Sequence, residues 1–223
     1  MGWLAYEKGA AVTLRLGHAR LPGQPSPPER PVPDPPEPGL APWLAERLFD
    51  RRIVFLRGPL TTESAGTVAA ALLSLDAADP AAPVQLHFAA ADGDLAAVFA
   101  LIDTIDGMQA PVHALATAEV GGAAIGAYAV AQRRLAYPHA RFRLAEPRVT
   151  GIAGTADDLA SAAGRHLRAL EELVVRVADA TGQPRSRVED GFSQRLLLDA
   201  EQARDYGLVD EIAHGRRRGE PDR

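Results

Sequence analysis

Short strand-like runs alternate with helix signals from residue 53 to residue 212, and this alternation constrains the fold more than any other feature. The strands are predicted from short apolar, β-type runs, at 53–56, 84–88, 112–117, 135–137, 141–144 and 208–212. The helices are predicted from apolar residues at helical spacing, at 62–75, 95–105, 122–131, 156–180 and 199–207. Repeated β-α units of this kind indicate an α/β fold with a largely parallel sheet and covering helices.

The helix at 156–180 is the best marked. Thr155 is a suitable N-cap, and Asp158 three residues later completes a capping-box pattern, while Gly182 and Pro184 are stop signals. A mostly apolar stripe follows the helical period along it, formed by Leu159, Ala163, His166, Leu167, Leu170, Val174 and Val177. Such a stripe must be covered, either by the core of the domain or by another subunit.

A proline-rich stretch divides the chain. Ten of the 18 prolines fall within residues 22–42, a composition that favours extended polyproline II and excludes helix or central strand. With 223 residues the chain can bury one substantial core. The predicted organisation is an N-terminal segment with a possible short strand, a proline-rich linker or extension, one globular domain and a polar tail, at 1–21, 22–42, 43–213 and 214–223.

Composition excludes several classes of function. A net charge of -5 supplies no basic field for nucleic acid, and the absence of cysteine removes disulfides, thiolate metal sites and a cysteine nucleophile. No apolar run approaches the roughly 20 residues that span a bilayer. Charge appears at Glu7 and Lys8 before any apolar stretch, so no secretory signal is predicted and the cytoplasm is the expected compartment. No histidine has metal-ligand spacing, and no cofactor is predicted.

The central region is poor in groups that could attack a substrate. No serine occurs from residue 75 to residue 160, and Thr117 is the one hydroxyl there worth considering as a nucleophile. Its favoured interpretation is a strand residue bonded to backbone. Asp92, Asp94 and Glu119 could perform acid–base chemistry, but solvated loop carboxylates are the favoured interpretation.

Four motifs in consistent order resemble the Clp protease proteolytic subunit family. They are Arg52-Ile-Val-Phe-Leu-Arg-Gly-Pro59, Arg141-Phe-Arg-Leu-Ala-Glu-Pro147, Thr181-Gly-Gln-Pro184 and the C-terminal Asp199-Ala-Glu-Gln-Ala-Arg-Asp-Tyr-Gly-Leu-Val-Asp-Glu-Ile212. The resemblance covers about residues 46–212. It implies a superhelix of β-β-α units, also used by crotonases, with a protruding handle helix at 156–180. In that family the handle helix interdigitates between two heptameric rings.

The positions that match the family's catalytic triad carry no catalytic group. The nucleophilic serine matches Ala124 within Ala123-Ala-Ile-Gly-Ala127, and the alternative match, Gly122, also has no hydroxyl. The family's histidine matches Ala145. Its aspartate matches Gly191, with Asp190 one residue away.

The family's glycine-rich oxyanion segment reads Ala91-Asp-Gly-Asp94 here, so one glycine has become Asp92. The remaining oxyanion-like positions are Gly93, Gly121 and Gly122.

The resemblance therefore implies a non-catalytic subunit with an architectural or regulatory role in a ring-shaped Clp proteolytic complex. Its expected partners are copies of itself or active Clp proteolytic paralogues, and a Clp ATPase is a further candidate. Two enzymatic alternatives stay open. One is a crotonase-like acyl-CoA enzyme with Glu119 as base, and the other is a peptidase whose nucleophile is Thr117 or Ser193.

Overall fold

A computed structural model of the chain describes residues 41–147 and 154–213. The N-terminal segment with its possible short strand, nearly all of the proline-rich stretch and the polar tail lie outside the described residues.

The described residues alternate between strands and helices, as the sequence predicts. The strands are β1 Ile53–Arg57, β2 Val84–Ala89, β3 Val112–Ala116, β4 Glu119–Gly121, β5 Arg133–Ala136, β6 Arg141–Arg143, β7 Leu197–Asp199 and β8 Glu211–Ile212. The helices are α1 Pro42–Phe49, α2 Thr62–Ala78, α3 Leu95–Gly107, α4 Ala124–Ala129, α5 Ala156–Thr181, α6 Arg185–Ser193 and α7 Ala200–Tyr206. The predicted α/β class, with helices linking parallel strands, is confirmed.

Two sheets divide the strands between them. The main sheet has the order β1-β2-β3-β5-β8, and every neighbouring pair in it is parallel. The smaller sheet has the order β4-β6-β7, with β4 parallel and β7 antiparallel to β6. Parallel neighbours require crossover connections, and here α2 and α3 supply the first two.

An aromatic chain joins the two sheets in the core. The rings of Phe88 on β2 and Tyr128 on α4 lie 5.5 Å apart edge to face, and Phe142 on β6 lies 5.2 Å from Tyr128. All three side chains are fully buried. The Tyr128 hydroxyl donates a hydrogen bond of 2.8 Å to the Leu135 carbonyl, so its polar end is satisfied inside the core.

Local sequence signals set most helix ends. Thr155 and Asp158 form the predicted capping box, and Gly182 ends α5 in the left-handed conformation with φ of 68°. Four elements were not predicted from the sequence: α1, β4, α6 and β7. Pro184 was interpreted only as a stop for α5, whereas it is also the N-cap of α6. β4 and β7 have three residues each, too few to show a period of two.

Only half of the stripe on α5 is covered. The buried residues of this helix are Leu173, Val174, Val177 and Ala178, all in its C-terminal half. Leu159 is 45% exposed and Leu167 is 64% exposed. The C-terminal half of α5 therefore belongs to the core of the domain, while the N-terminal half presents apolar side chains to its surroundings.

Candidate functional site

The candidate site lies where the loop after β2 meets the connection between β4 and α4. Residues 91–94 of that loop are fixed to Leu60, which donates a 3.0 Å hydrogen bond to the Asp92 carbonyl and accepts a 2.8 Å bond from the Asp94 amide. A Cβ atom on Gly93 would lie 2.6 Å from the Leu60 Cβ, so only glycine permits this approach. The loop is thus held rigidly beside the start of α4.

Backbone packing accounts for the glycine pair before α4. A Cβ atom on Gly121 would lie 2.6 Å from the Ala91 carbonyl oxygen, and Gly122 has a φ of +54°. Their amide groups donate to backbone carbonyls, Gly121 to Ala90 at 2.9 Å and Gly122 to Arg143 at 3.1 Å. Neither of these N–H groups is free to bind a substrate oxygen.

The third glycine amide of the predicted oxyanion set is occupied by a side chain. Gly93 donates a 2.8 Å hydrogen bond to Oδ1 of Asp92. The same Oδ1 would lie 2.6 Å from a Cβ atom on Gly122, so the carboxylate rests against that glycine. The three predicted oxyanion-like positions therefore converge, and each amide already has an acceptor within the chain.

The predicted triad positions carry no reactive group. Ala124 is the first residue of α4 and is fully buried, and Ala145 follows β6 with 6% exposure. Gly191 has no side chain, and a Cβ atom there would lie 3.0 Å from Cδ2 of Leu144, so a side chain introduced at this position would point toward Leu144.

The pairing of the small sheet brings a different residue next to the segment that holds Ala145. Arg141 and Arg143 of β6 pair with Asp199 and Leu197 of β7, and the Leu144 amide donates to the Leu196 carbonyl at 2.9 Å. Ala145 and Arg195 are the chain neighbours of these two bonded residues, and Arg195 leaves the strand conformation with a φ of +56°. Arg195 was not predicted as a site residue, because strand pairing is not visible in the sequence.

An ion pair occupies the carboxylate that was considered as a base. Nε of Arg143 donates to Oε1 of Glu119 at 2.7 Å, and Nη2 of the same guanidinium donates to the Ala91 carbonyl at 2.8 Å. The Arg143 side chain on β6 therefore connects β4 to the loop after β2 and holds these two parts of the site together. Asp92 and Asp94 are exposed loop residues.

Among the described residues, neither of the two hydroxyls considered as nucleophiles is hydrogen-bonded to an imidazole. The Thr117 hydroxyl donates a 3.0 Å hydrogen bond to the Phe88 carbonyl, as its favoured interpretation expects. Ser193 is exposed at the end of α6 and lines a cleft of about 280 Å³ whose other lining residues are Glu146, Leu167, Leu170, Glu171, Val174, Arg185, Glu189 and Phe192. That lining contains no histidine.

Burial lowers the pKa of both histidines of the main sheet. Burial, with a smaller contribution from Arg57, lowers the pKa of His87, whose ring contacts Phe55 with the centroids 4.8 Å apart. Burial, with a smaller contribution from Arg133, lowers the pKa of His113. Within residues 41–147 and 154–213, no group of three or more potential ligands could hold a metal ion. Every helix in those ranges falls short of the length and apolarity that crossing a membrane requires.

Two comparisons with known proteins bear on this site. Residues 41–216 match the sequence profile of the family described as Clp protease. The ATP-dependent Clp protease proteolytic subunit 1 of Chlamydia caviae is 32% identical to the chain over 172 residues, which cover 76% of this chain and 90% of that protein. The profile match includes the loop after β2, the start of α4 and the β6–β7 pair. The family resemblance drawn from the four sequence motifs is confirmed.

Proposed function

This chain belongs to the Clp protease family, and on that premise we propose that it is a non-catalytic subunit of a ring-shaped Clp proteolytic complex. The observation that carries the proposal is the buried methyl group of Ala124 at the position of the family's nucleophile. Its role would be architectural or regulatory, exercised in the cytoplasm.

The chemistry of peptide hydrolysis gives this observation its weight. Acyl transfer of the serine type needs a hydroxyl, a base within hydrogen-bond reach and donors for the oxyanion. Ala124 and Ala145 supply neither hydroxyl nor imidazole, and neither Gly191 nor Arg195 supplies a carboxylate. In a protease whose triad has been dissected, loss of all three groups costs about 10⁶ in kcat, so residual turnover should be negligible.

The exposed half of α5 supports assembly with other subunits. Leu159 and Leu167 lie 8 residues apart, a spacing that keeps both on one apolar face of the helix, and both side chains are exposed. Burying such a stripe against another subunit would remove apolar surface from water. Copies of this chain or active Clp proteolytic paralogues are the proposed partners, and a Clp ATPase is a candidate for the ring face.

The contacts of the described residues disfavour both enzymatic alternatives. In the crotonase-like alternative Glu119 would act as base, yet its carboxylate is paired with Arg143. The glycine amides that would stabilise an enolate already donate to acceptors of the chain. In the peptidase alternative, the Thr117 hydroxyl is engaged with a backbone carbonyl.

Probe labelling and peptide turnover test the loss of catalysis. The natural chain should neither hydrolyse fluorogenic peptides nor react with a fluorophosphonate probe. The matched variant carries Ala124→Ser, Ala145→His and Arg195→Asp, and any labelling that it gains should fall at residue 124. A parallel variant with Gly191→Asp in place of Arg195→Asp tests the position predicted from sequence. Turnover by the natural chain at rates typical of Clp proteases would refute the proposal.

Native mass spectrometry tests assembly. The natural chain, alone or mixed with an active Clp proteolytic paralogue, should form a ring, with seven subunits as the expected number. The variant Leu159→Glu/Leu167→Glu should dissociate the complex at the α5 surface and leave the domain folded, because neither side chain is part of the core. A chain that remains monomeric under both conditions would contradict the architectural role.

A further inference from the structure

The three glycine amides of the site differ in what they bind. Those of Gly121 and Gly122 donate to backbone carbonyls, so freeing them requires the strands and the loop to separate. That of Gly93 donates to the Asp92 carboxylate, so rotation or removal of one side chain would free it. Among these three amides, Gly93 therefore presents the one donor that a substrate oxygen could acquire without unfolding the site.

The backbone around the Gly93 amide is held in place, so it cannot move away from the Asp92 carboxylate. Hydrogen bonds to Leu60 fix both sides of Gly93, and Arg143 holds the Ala91 carbonyl at 2.8 Å. The clash that any Cβ atom on Gly93 would make with Leu60 shows how closely the loop is packed. The state of the donor is consequently decided by the Asp92 side chain.

A carboxylate is a strong competitor at this place. It accepts charge-assisted hydrogen bonds, which are about twice as strong as those of a neutral carbonyl oxygen. Because Asp92 is joined covalently to Gly93, it competes without the entropic cost of binding from solution. A peptide carbonyl that did enter would develop negative charge during attack, next to the charge already present on Asp92.

We propose that Asp92 is an internal plug, whose carboxylate occupies the Gly93 amide and covers Gly122, closing the site to peptide carbonyl oxygens. The inference rests on the proposed function, because it concerns the same site, and it adds a defect independent of the missing triad. Replacing the triad groups alone would leave the plug in place. The substrate class excluded by the plug is any acyl compound whose carbonyl oxygen must bind this amide.

The test adds three single substitutions to the full chain that carries Ala124→Ser, Ala145→His and Arg195→Asp. Asp92→Ala removes the plug, and Asp92→Asn keeps an oxygen that can accept from Gly93. Asp94→Ala is the control, because it removes another carboxylate from the same loop. The Asp94 side chain makes no cap hydrogen bond to α3. The measurement is the rate of labelling by a fluorophosphonate probe.

Asp92→Ala should accelerate labelling by about 10- to 100-fold, somewhat less than the 10²–10³-fold in kcat that a full oxyanion donor is worth. Asp92→Asn should give less than about a third of that gain, and Asp94→Ala should change the rate less than about twofold. Equal rates for Asp92→Ala and Asp94→Ala, or no labelling of either, would overturn the plug. Such a result leaves the proposed function standing, because that proposal falls only if the natural chain turns over peptides or fails to assemble.

Amide hydrogen exchange followed by NMR tests the plug without the triad substitutions. In the variant whose only substitution is Asp92→Ala, the Gly93 amide should exchange at least tenfold faster than in the natural chain. The exchange rates of the Gly121 and Gly122 amides should be unchanged. Unchanged protection at Gly93 would show that its amide does not depend on the carboxylate and would overturn the proposal.

Discussion

The contact between α4 and α5 gives the sharpest prediction about stability. Replacing one glycine there with alanine should destabilise the natural chain but stabilise a variant that lacks the leucine side chain packed against it. Gly126 lies inside α4, and a Cβ atom there would collide with Cδ1 of Leu173, the fully buried residue that docks α5. It would also lie 3.3 Å from Cδ1 of Ile102. By contrast, the Cβ position of Gly66 in α2 has no neighbour within 4 Å.

Two opposing terms set the magnitude. Alanine is favoured over glycine in a helix interior by about 1 kcal/mol. Overpacking a filled core costs about 1–3 kcal/mol. Gly126→Ala should therefore lower the free energy of unfolding by about 1 kcal/mol, whereas Gly66→Ala should raise it by up to about 1 kcal/mol. Leu173→Ala alone should cost about 2–5 kcal/mol because it leaves a cavity.

In the Leu173→Ala background the collision is gone, so Gly126→Ala should become stabilising by about 0.5–1 kcal/mol. The coupling energy of the cycle should be about 2 kcal/mol. Urea unfolding followed by circular dichroism gives all four free energies, provided that the m-value stays constant. A Gly126→Ala variant that is destabilised equally in both backgrounds, or that gains as much as Gly66→Ala, would refute the reasoning.

Three further substitutions probe other contacts. Arg134→Lys should lower the free energy of unfolding, measured in urea, by about 2–3 kcal/mol. The reason is that lysine cannot reproduce the 3.2 and 2.5 Å hydrogen bonds from the guanidinium group to the two carboxylate oxygens of Asp210. A loss below about 0.5 kcal/mol would contradict this. Gly207→Ala should cost about 3 kcal/mol in the same assay, because φ is +88° and the new Cβ would strike the Thr181 carbonyl oxygen; an unchanged midpoint would refute it. Burial lowers the pKa of His87, so the unfolded state binds more protons near pH 6 and stability should fall as the pH drops from about 7 to 5. His87→Gln should flatten that fall in the urea midpoint, and an identical slope would refute the assignment.

The fold was predictable where the signal is local. Thr155 and Asp158 can be recognised as a capping box from four residues of sequence, and the structure forms it. β1, β2 and β3 were predicted because each is a short run of apolar, β-type residues. The small sheet was not predictable as a unit, because β4 and β7 acquire their conformation by pairing with β6.

The candidate site was predictable in its position along the chain, but its geometry was not. The identities of Ala124 and Ala145 follow from counting within motifs. The segment that lies beside Ala145 depends on the pairing of β6 with β7, which brings the residues before Leu197, including Arg195, next to it. The bond from Gly93 to Asp92 depends on a side-chain rotamer. Neither fact has a periodic or compositional trace in the sequence.

The glycines of this site carry no information about catalysis, because packing alone requires them. Any side chain at Gly121 would strike the Ala91 carbonyl, and Gly122 adopts a conformation that other residues rarely accept. The same backbone would be needed in an active and in an inactive subunit. Activity must therefore be judged from side-chain oxygens and imidazoles, and the positions predicted to match the family's serine and histidine carry the buried methyl groups of Ala124 and Ala145. If the proposed loss of catalysis holds, this backbone is retained for packing, since it also holds the loop after β2 beside the start of α4.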